Sequence, residues 1–263
     1  VVIQVTPGTT VRVTPRDAAT LALGEAAAGA AVAFAPALGE PVTAEADEAG
    51  QVAVPTFQPP ELVSVTWDEG GVSCAATVEV VQSHYCSLAD VLGHGAEGDT
   101  PEDHGADEAA AWEARAWATE VVERNARRRF VPTLVVQDAM PSGRVEPLDW
   151  PDATALTWEP DGAMAVPVGD SAVVVAAPRQ LVPAPVRLTY RAGLASVPAA
   201  IRAATAALAA SRLVPSRIPD RATGESTDAG MLHFTLAGID GATGIPDVDA
   251  SIEQWGRKRA AVL

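Results

Sequence analysis

Thr77-Val78-Glu79-Val80-Val81-Gln82-Ser83-His84-Tyr85-Cys86-Ser87-Leu88-Ala89-Asp90-Val91 is where the chain changes character. Up to Val80 polar and apolar side chains alternate, the period of a strand with one buried face. From Ser87 the pattern is that of a helix start, because a Ser hydroxyl three residues ahead of an acid has the spacing of a capping box. Strands before this junction and helices after it predict an α+β protein with a boundary between residues 82 and 83.

Upstream, strands are expected at 1–6, 10–14, 31–35, 42–46, 51–54, 62–67 and 72–81. Pro7-Gly8, Glu48-Ala49-Gly50, Pro59-Pro60 and Gly70-Gly71 punctuate them as turns. About seven short strands in about 80 residues read as a small antiparallel β-sandwich of immunoglobulin-like type over residues 1–82. Residues 18–30 are Ala-rich, which favours helix, but Gly24 and Gly29 oppose it, and the segment stays open between the two.

Downstream, residues 83–263 read as a helical domain. A short helix from Ser87 to Leu92 is followed by a polar loop, and Thr100-Pro101-Glu102-Asp103 offers a second cap. Between Asp107 and Arg129 the positions Ala110, Ala114, Trp117 and Val121 recur at helical spacing, widened by Trp112, Ala118 and Val122. Acids at the start of this helix and Arg127-Arg128-Arg129 at its end suit the backbone dipole. Residues of about 130–190 return to strand, with hairpin turns at Pro141-Ser142-Gly143 and Pro160-Asp161-Gly162, and read as a β-rich insertion in the helical domain. Pro198 opens an Ala-rich helix to Leu213 that buries Ile201, Ala204, Leu208 and Ala209. A long loop at 214–246, broken by a strand at 231–236, leads to a final helix opened by an Asp cap at Pro246-Asp247-Val248-Asp249. That helix carries Ile252, Trp255 and Ala260 on one side and contains the basic run Arg257-Lys258-Arg259.

Net charge is −16 and unevenly placed. Residues 1–110 hold 17 acids against Arg12 and Arg16, or −15; residues 111–263 hold 17 acids against 16 bases, or −1. Gripping a nucleic acid requires clustered cations that release phosphate counterions, and the first 110 residues lack them. An acidic wall facing DNA would instead repel the backbone and let it slide. No apolar run approaches the roughly 18 residues of a membrane helix, and no basic-then-apolar stretch opens the sequence. The chain is therefore expected to stay in the compartment where it is made, with Cys74 and Cys86 reduced, although facing strands would allow a bridge.

Reactive chemistry is missing from the pattern. Gly-rich phosphate loops, the GxSxG elbow and HExxH do not occur. His84, Cys86, His94 and His104 have no spacing of a zinc module, and solvated loop histidines are the plainer expectation. Asp240, Asp247 and Asp249 lack the alternation of a calcium loop and fit capping or turns better. Asp99, Glu102, Asp103, Asp107 and Glu108 resemble a solvated acidic loop more than a catalytic pair, since nothing apolar nearby would raise a carboxyl pKa. Trp112 and Trp117, at helical spacing beside Val121, are expected in the core rather than stacked on a ligand. Neither an enzyme nor a cofactor or metal site is expected.

Four motifs in order carry a resemblance: Ser87-Leu88-Ala89-Asp90-Val91; a long helix ending in Arg128-Arg129-Phe130; Leu188-Thr189-Tyr190-Arg191-Ala192-Gly193 followed by Val197-Pro198 and an Ala-rich helix; and Thr243-Gly244-Ile245-Pro246-Asp247-Val248-Asp249-Ala250. Residues 85–263 resemble the head-to-tail adaptor (connector) proteins of long-tailed bacteriophages and prophages. Residues 1–82 fall outside that family core, and the β-rich insertion is longer than an adaptor needs. The resemblance implies a non-enzymatic virion protein of the neck, assembled in the bacterial host cytoplasm. Its copies would form a dodecameric ring between the portal and the stopper or tail protein, in passive contact with genomic DNA and with no membrane. It also implies portal binding through the last helix, at Ile252, Trp255, Arg257, Lys258 and Arg259. The competing readings are a β-sandwich binding or adhesion module with a helical partner domain, and an enzyme built on the histidines or the acidic loop.

Overall fold

The computed structural model describes residues 1–140, 145–150, 152–159, 164–168, 171–175, 185–215, 224–227, 230–233 and 243–256. Its first eight strands are β1 (Val2–Gln4), β2 (Thr10–Val13), β3 (Thr20–Ala22), β4 (Ala31–Pro36), β5 (Val42–Glu45), β6 (Gln51–Ala53), β7 (Glu61–Glu69) and β8 (Val72–Val80). Helices α1 (Leu88–Leu92) and α2 (Glu108–Ala126) follow. Next come β9 (Thr133–Ala139), β10 (Val145–Pro147), β11 (Thr154–Glu159), β12 (Met164–Val168), β13 (Ser171–Val175) and β14 (Val186–Ala192). Then α3 (Ala199–Leu213), β15 (Gly224–Thr227), β16 (Gly230–His233) and α4 (Pro246–Trp255) follow among the described residues. The α+β class stands.

The chain divides into two compact units, one of Val1–His84 with Val131–Ala195 and one of Tyr85–Phe130 with Ser196–Leu263. In the first, β2-β8-β7-β4-β5 form one sheet and β1-β3-β6 another. Burial alternates along β7 and β8: Val63, Val65, Trp67, Cys74, Ala76, Val78 and Val80 are buried, as period-2 patterning demands. Gly70 and Gly71 turn the β7–β8 hairpin with φ of 61° and 88°, the two positive values that a type I′ turn requires.

Two pairings differ from the all-antiparallel sandwich expected for residues 1–82. β1 runs parallel to β3, and β2 runs parallel to β8. Pro7-Gly8 therefore does not close a hairpin; it carries the chain from one sheet to the other, and the Gly8 N–H donates to Ala75 O at 2.7 Å. The parallel register sets Arg12 opposite Glu79, whose Oε2 accepts from Nε at 3.1 Å and Nη2 at 2.8 Å. The open segment at 18–30 resolves into β3 and a 3-10 turn at Glu25–Ala27, not a helix.

Within 131–195 the order β11-β14-β9 makes a further sheet, with Leu148, Leu188 and Tyr190 in its core. β14 ends at Gly193, where φ is +112° and a Cβ would stand 2.1 Å from Val131 O. The expected turns at 141–143 and 160–162 lie outside the described residues, as does most of the 214–246 loop.

Asp17 receives the Thr14 N–H at 2.5 Å and His84 Nε2 at 3.0 Å. Burial alone would raise its carboxyl, but the His84 and Thr14 hydrogen bonds outweigh that and hold it below the usual carboxylate range. A carboxyl depressed by folding stabilises above its unfolded value, and that stability is lost as pH falls through the folded value. Acid titration of Asp17→Asn should accordingly show a shallower loss of stability on the acid side than the native chain; an identical acid limb would remove the carboxyl from the explanation.

Candidate functional site

The helical unit starts as the sequence indicates. Ser87 Oγ accepts from the Asp90 N–H at 3.0 Å while Asp90 Oδ2 accepts from the Ser87 N–H at 2.8 Å, a complete capping box. Those bonds keep the Asp90 carboxyl below its ordinary pKa. Asp107 caps α2 by accepting from the Ala110 N–H at 2.8 Å. The same reciprocal pattern joins Thr100 and Asp103, yet no helix grows from it, and the turn closes at Gly105 with φ +80°.

The buried face of α2 is rotated from the one that apolar spacing picks out. Ala111, Ala114, Ala118, Val122 and Ala126 are buried, and so are Arg115, Thr119 and Glu123, while Ala110, Trp117 and Val121 are only half-buried. Glu123 and Arg115 tolerate this because each makes a buried hydrogen bond. Tyr85, 1% exposed, donates its hydroxyl proton to Glu123 Oε1 at 2.5 Å and accepts the Phe130 N–H at 2.7 Å. The Tyr85 and Phe130 rings meet edge to face, centroids 5.7 Å apart, and Arg129 Nε lies 4.0 Å from Glu123 Oε2. Tyr85 and Phe130 are the first and last residues of this stretch of the unit, so one phenol clasps both ends of it. Arg115 lies over Trp112 at 4.4 Å and donates to Cys86 O at 3.4 Å; Arg212 of α3 lies 5.1 Å over Trp117.

Pro198 precedes α3, which buries Ile201, Ala204, Leu208 and Ala209 as expected. The residue preceding α4 is Ile245, not an Asp, and it makes no side-chain cap. Pro246 takes the first turn, where its missing N–H costs nothing. Asp249 instead binds backwards, Oδ1 accepting from Thr243 N at 2.9 Å and Thr243 Oγ1 at 3.0 Å. Of the expected portal-contact residues, Ile252 is 7% exposed inside the unit and Trp255 is half-buried. Arg257, Lys258 and Arg259 lie outside the described residues, as do Ala260 and Asp240.

The end of α4 is fixed against the end of α2. A Cβ on Gly256 would stand 2.6 Å from Ile252 O of α4 and 3.2 Å from both Cα and O of Ala126, and Arg128 Nη1 donates to Trp255 O at 3.3 Å. At 3.2 Å the neighbour is backbone and cannot turn aside. Gly256→Ala is therefore expected to distort the last turn of α4 at Ile252 O, loosen its contact with the end of α2 and cost about 1–3 kcal/mol by overpacking, read from the urea midpoint; an unshifted midpoint would show that the site relaxes freely.

Among the described residues no group of three His, Cys, Asp or Glu side chains is placed to hold a metal ion. His104 bonds Asp99 at 3.0 Å and His84 bonds Asp17, so each ring has a carboxylate partner of its own. Both cysteines are free and buried. Burial pushes the Cys86 thiol up to about 12, and burial with the nearby Glu69 carboxylate pushes up Cys74. Thiols held this way are poor nucleophiles. A thiol reagent at pH 8 should label neither until the protein is denatured, and rapid labelling of folded protein would contradict their burial. A hollow of about 20 Å3, room for little more than a water molecule, lies beside Asp17, Thr14, Thr56 and Phe57. That is below the roughly 300–1,000 Å3 of small-molecule sites.

No family model and no curated protein matches the chain. Two solved particle structures contain similar chains. One is from the virion of a native gene transfer agent particle, at TM-score 0.40 and 19% identity, covering 66% of this chain and 89% of that one. The other is from the neck of an empty gene transfer agent particle computed with C6 symmetry, at TM-score 0.36 and 18% identity, covering 60% and 83%. Both scores fall below the level that establishes a shared fold.

Proposed function

We propose that this chain is a non-enzymatic structural protein of the neck of a tailed-phage-like particle. It is one copy of an adaptor ring that joins the portal at the capsid vertex to the stopper or tail. The observation that carries this reading is a convergence. The Ser87–Val91 motif, the Arg128-Arg129-Phe130 helix end, the Val197-Pro198 opening of α3 and the Thr243–Ala250 lead into α4 are far apart in sequence, yet all belong to one compact helical unit. Leu188–Gly193 alone belongs to the other unit.

The ring is dodecameric and surrounds the DNA passage. Its subunits meet head to tail, since such contacts close when the rotation between copies permits. An overall charge of −16 suits passage of DNA without gripping it. The portal contact is made by the C-terminal end, where Arg257, Lys258 and Arg259 follow a helix anchored by Ile252 and Trp255. Residues 1–84 and 131–195, which together make one compact β unit, are the addition to this scaffold.

The test is a particle assembled without this chain. The expected product is filled heads and finished tails that stay separate, restored by supplying the chain in trans. Joined particles of normal infectivity or transfer activity would refute the adaptor role.

A further inference from the structure

We draw no further inference here: the strongest candidate, the exposed turn 37–41 between β4 and β5, where buried Glu61 accepts the N–H groups of Ala37 and Leu38 and so holds out a Leu38 side chain that is 59% exposed, carries nothing because nothing in the structure shows what covers it.

Discussion

Glu123→Ala is expected to destabilise the helical unit by about 3–5 kcal/mol, the cost of breaking a buried ion-paired network by removing one partner. Glu123 is 6% exposed and bonds the Tyr85 hydroxyl at 2.5 Å, with Arg129 Nε at 4.0 Å from its other oxygen. Deleting the carboxylate leaves a buried phenol proton with no acceptor there and takes a counter-charge from a guanidinium that is 13% exposed. Tyr85→Phe is milder, about 1–3 kcal/mol, because it leaves two buried neutral or singly charged groups short of one bond each. Glu123→Gln should fall between native and Ala, since an amide oxygen still accepts from Tyr85 but carries no charge. The measurement is urea unfolding followed by the fluorescence of Trp112, Trp117 and Trp255, all in this unit. A Glu123→Ala midpoint within error of the native chain would mean that the network is decorative.

Gly50→Ala is the second large effect, at roughly 4 kcal/mol or more, in the range reserved for outright steric conflict. Gly50 has φ +70°, and a Cβ there would lie 1.8 Å from Gly24 O and 2.6 Å from Gly24 C, both backbone. Relief would require moving the turn, and the turn is tied on several sides. The Leu23 N–H donates to Gly50 O at 2.9 Å, the Gly50 N–H donates to Asp47 O at 3.0 Å, and Asp47 Oδ1 accepts from the N–H groups of Ala49 and Gln51. Gly29, with φ +69° and nothing within 4 Å of a Cβ, is the internal control. Ala there bears only the left-handed backbone cost, about 1 kcal/mol. Thermal unfolding should separate the two by several degrees. Equal losses would mean that the close approach at Gly50 relaxes freely.

The elements written in short-range chemistry were legible in the sequence. The Ser87–Asp90 box, the Asp107 cap, Pro198 ahead of α3 and the alternation along β7 and β8 each depend on a few neighbouring residues, and each is found where its pattern stands. What escaped was set by partners distant in sequence. Spacing alone assigns Arg115 and Glu123 to solvent, because the burial of Glu123 is tolerable only once Tyr85 and Arg129 arrive, and that of Arg115 once Cys86 O and the Trp112 ring do. Pro7-Gly8 has the composition of a hairpin turn whether the next strand pairs with β1 or crosses to β8; nothing local distinguishes these. At 100–103 the cap formed without a helix, since the following Gly105 ends the turn that the cap began.

Of the candidate site, the sequence showed the basic run and its amphipathic helix but not the neighbour. Arg127–Arg129 looked like dipole compensation for α2 alone. Only the Gly256–Ala126 approach puts that end beside the end of α4, and glycine spacing carries no signal for such a meeting.

The most direct test is electron cryomicroscopy of particles in which this chain carries a compact fusion at its amino terminus. The expected image is extra density repeated around the channel axis in a single ring between capsid vertex and tail. Label spread over the capsid shell or confined to the tail tip, with an unlabelled neck, would contradict the structural role assigned to the chain.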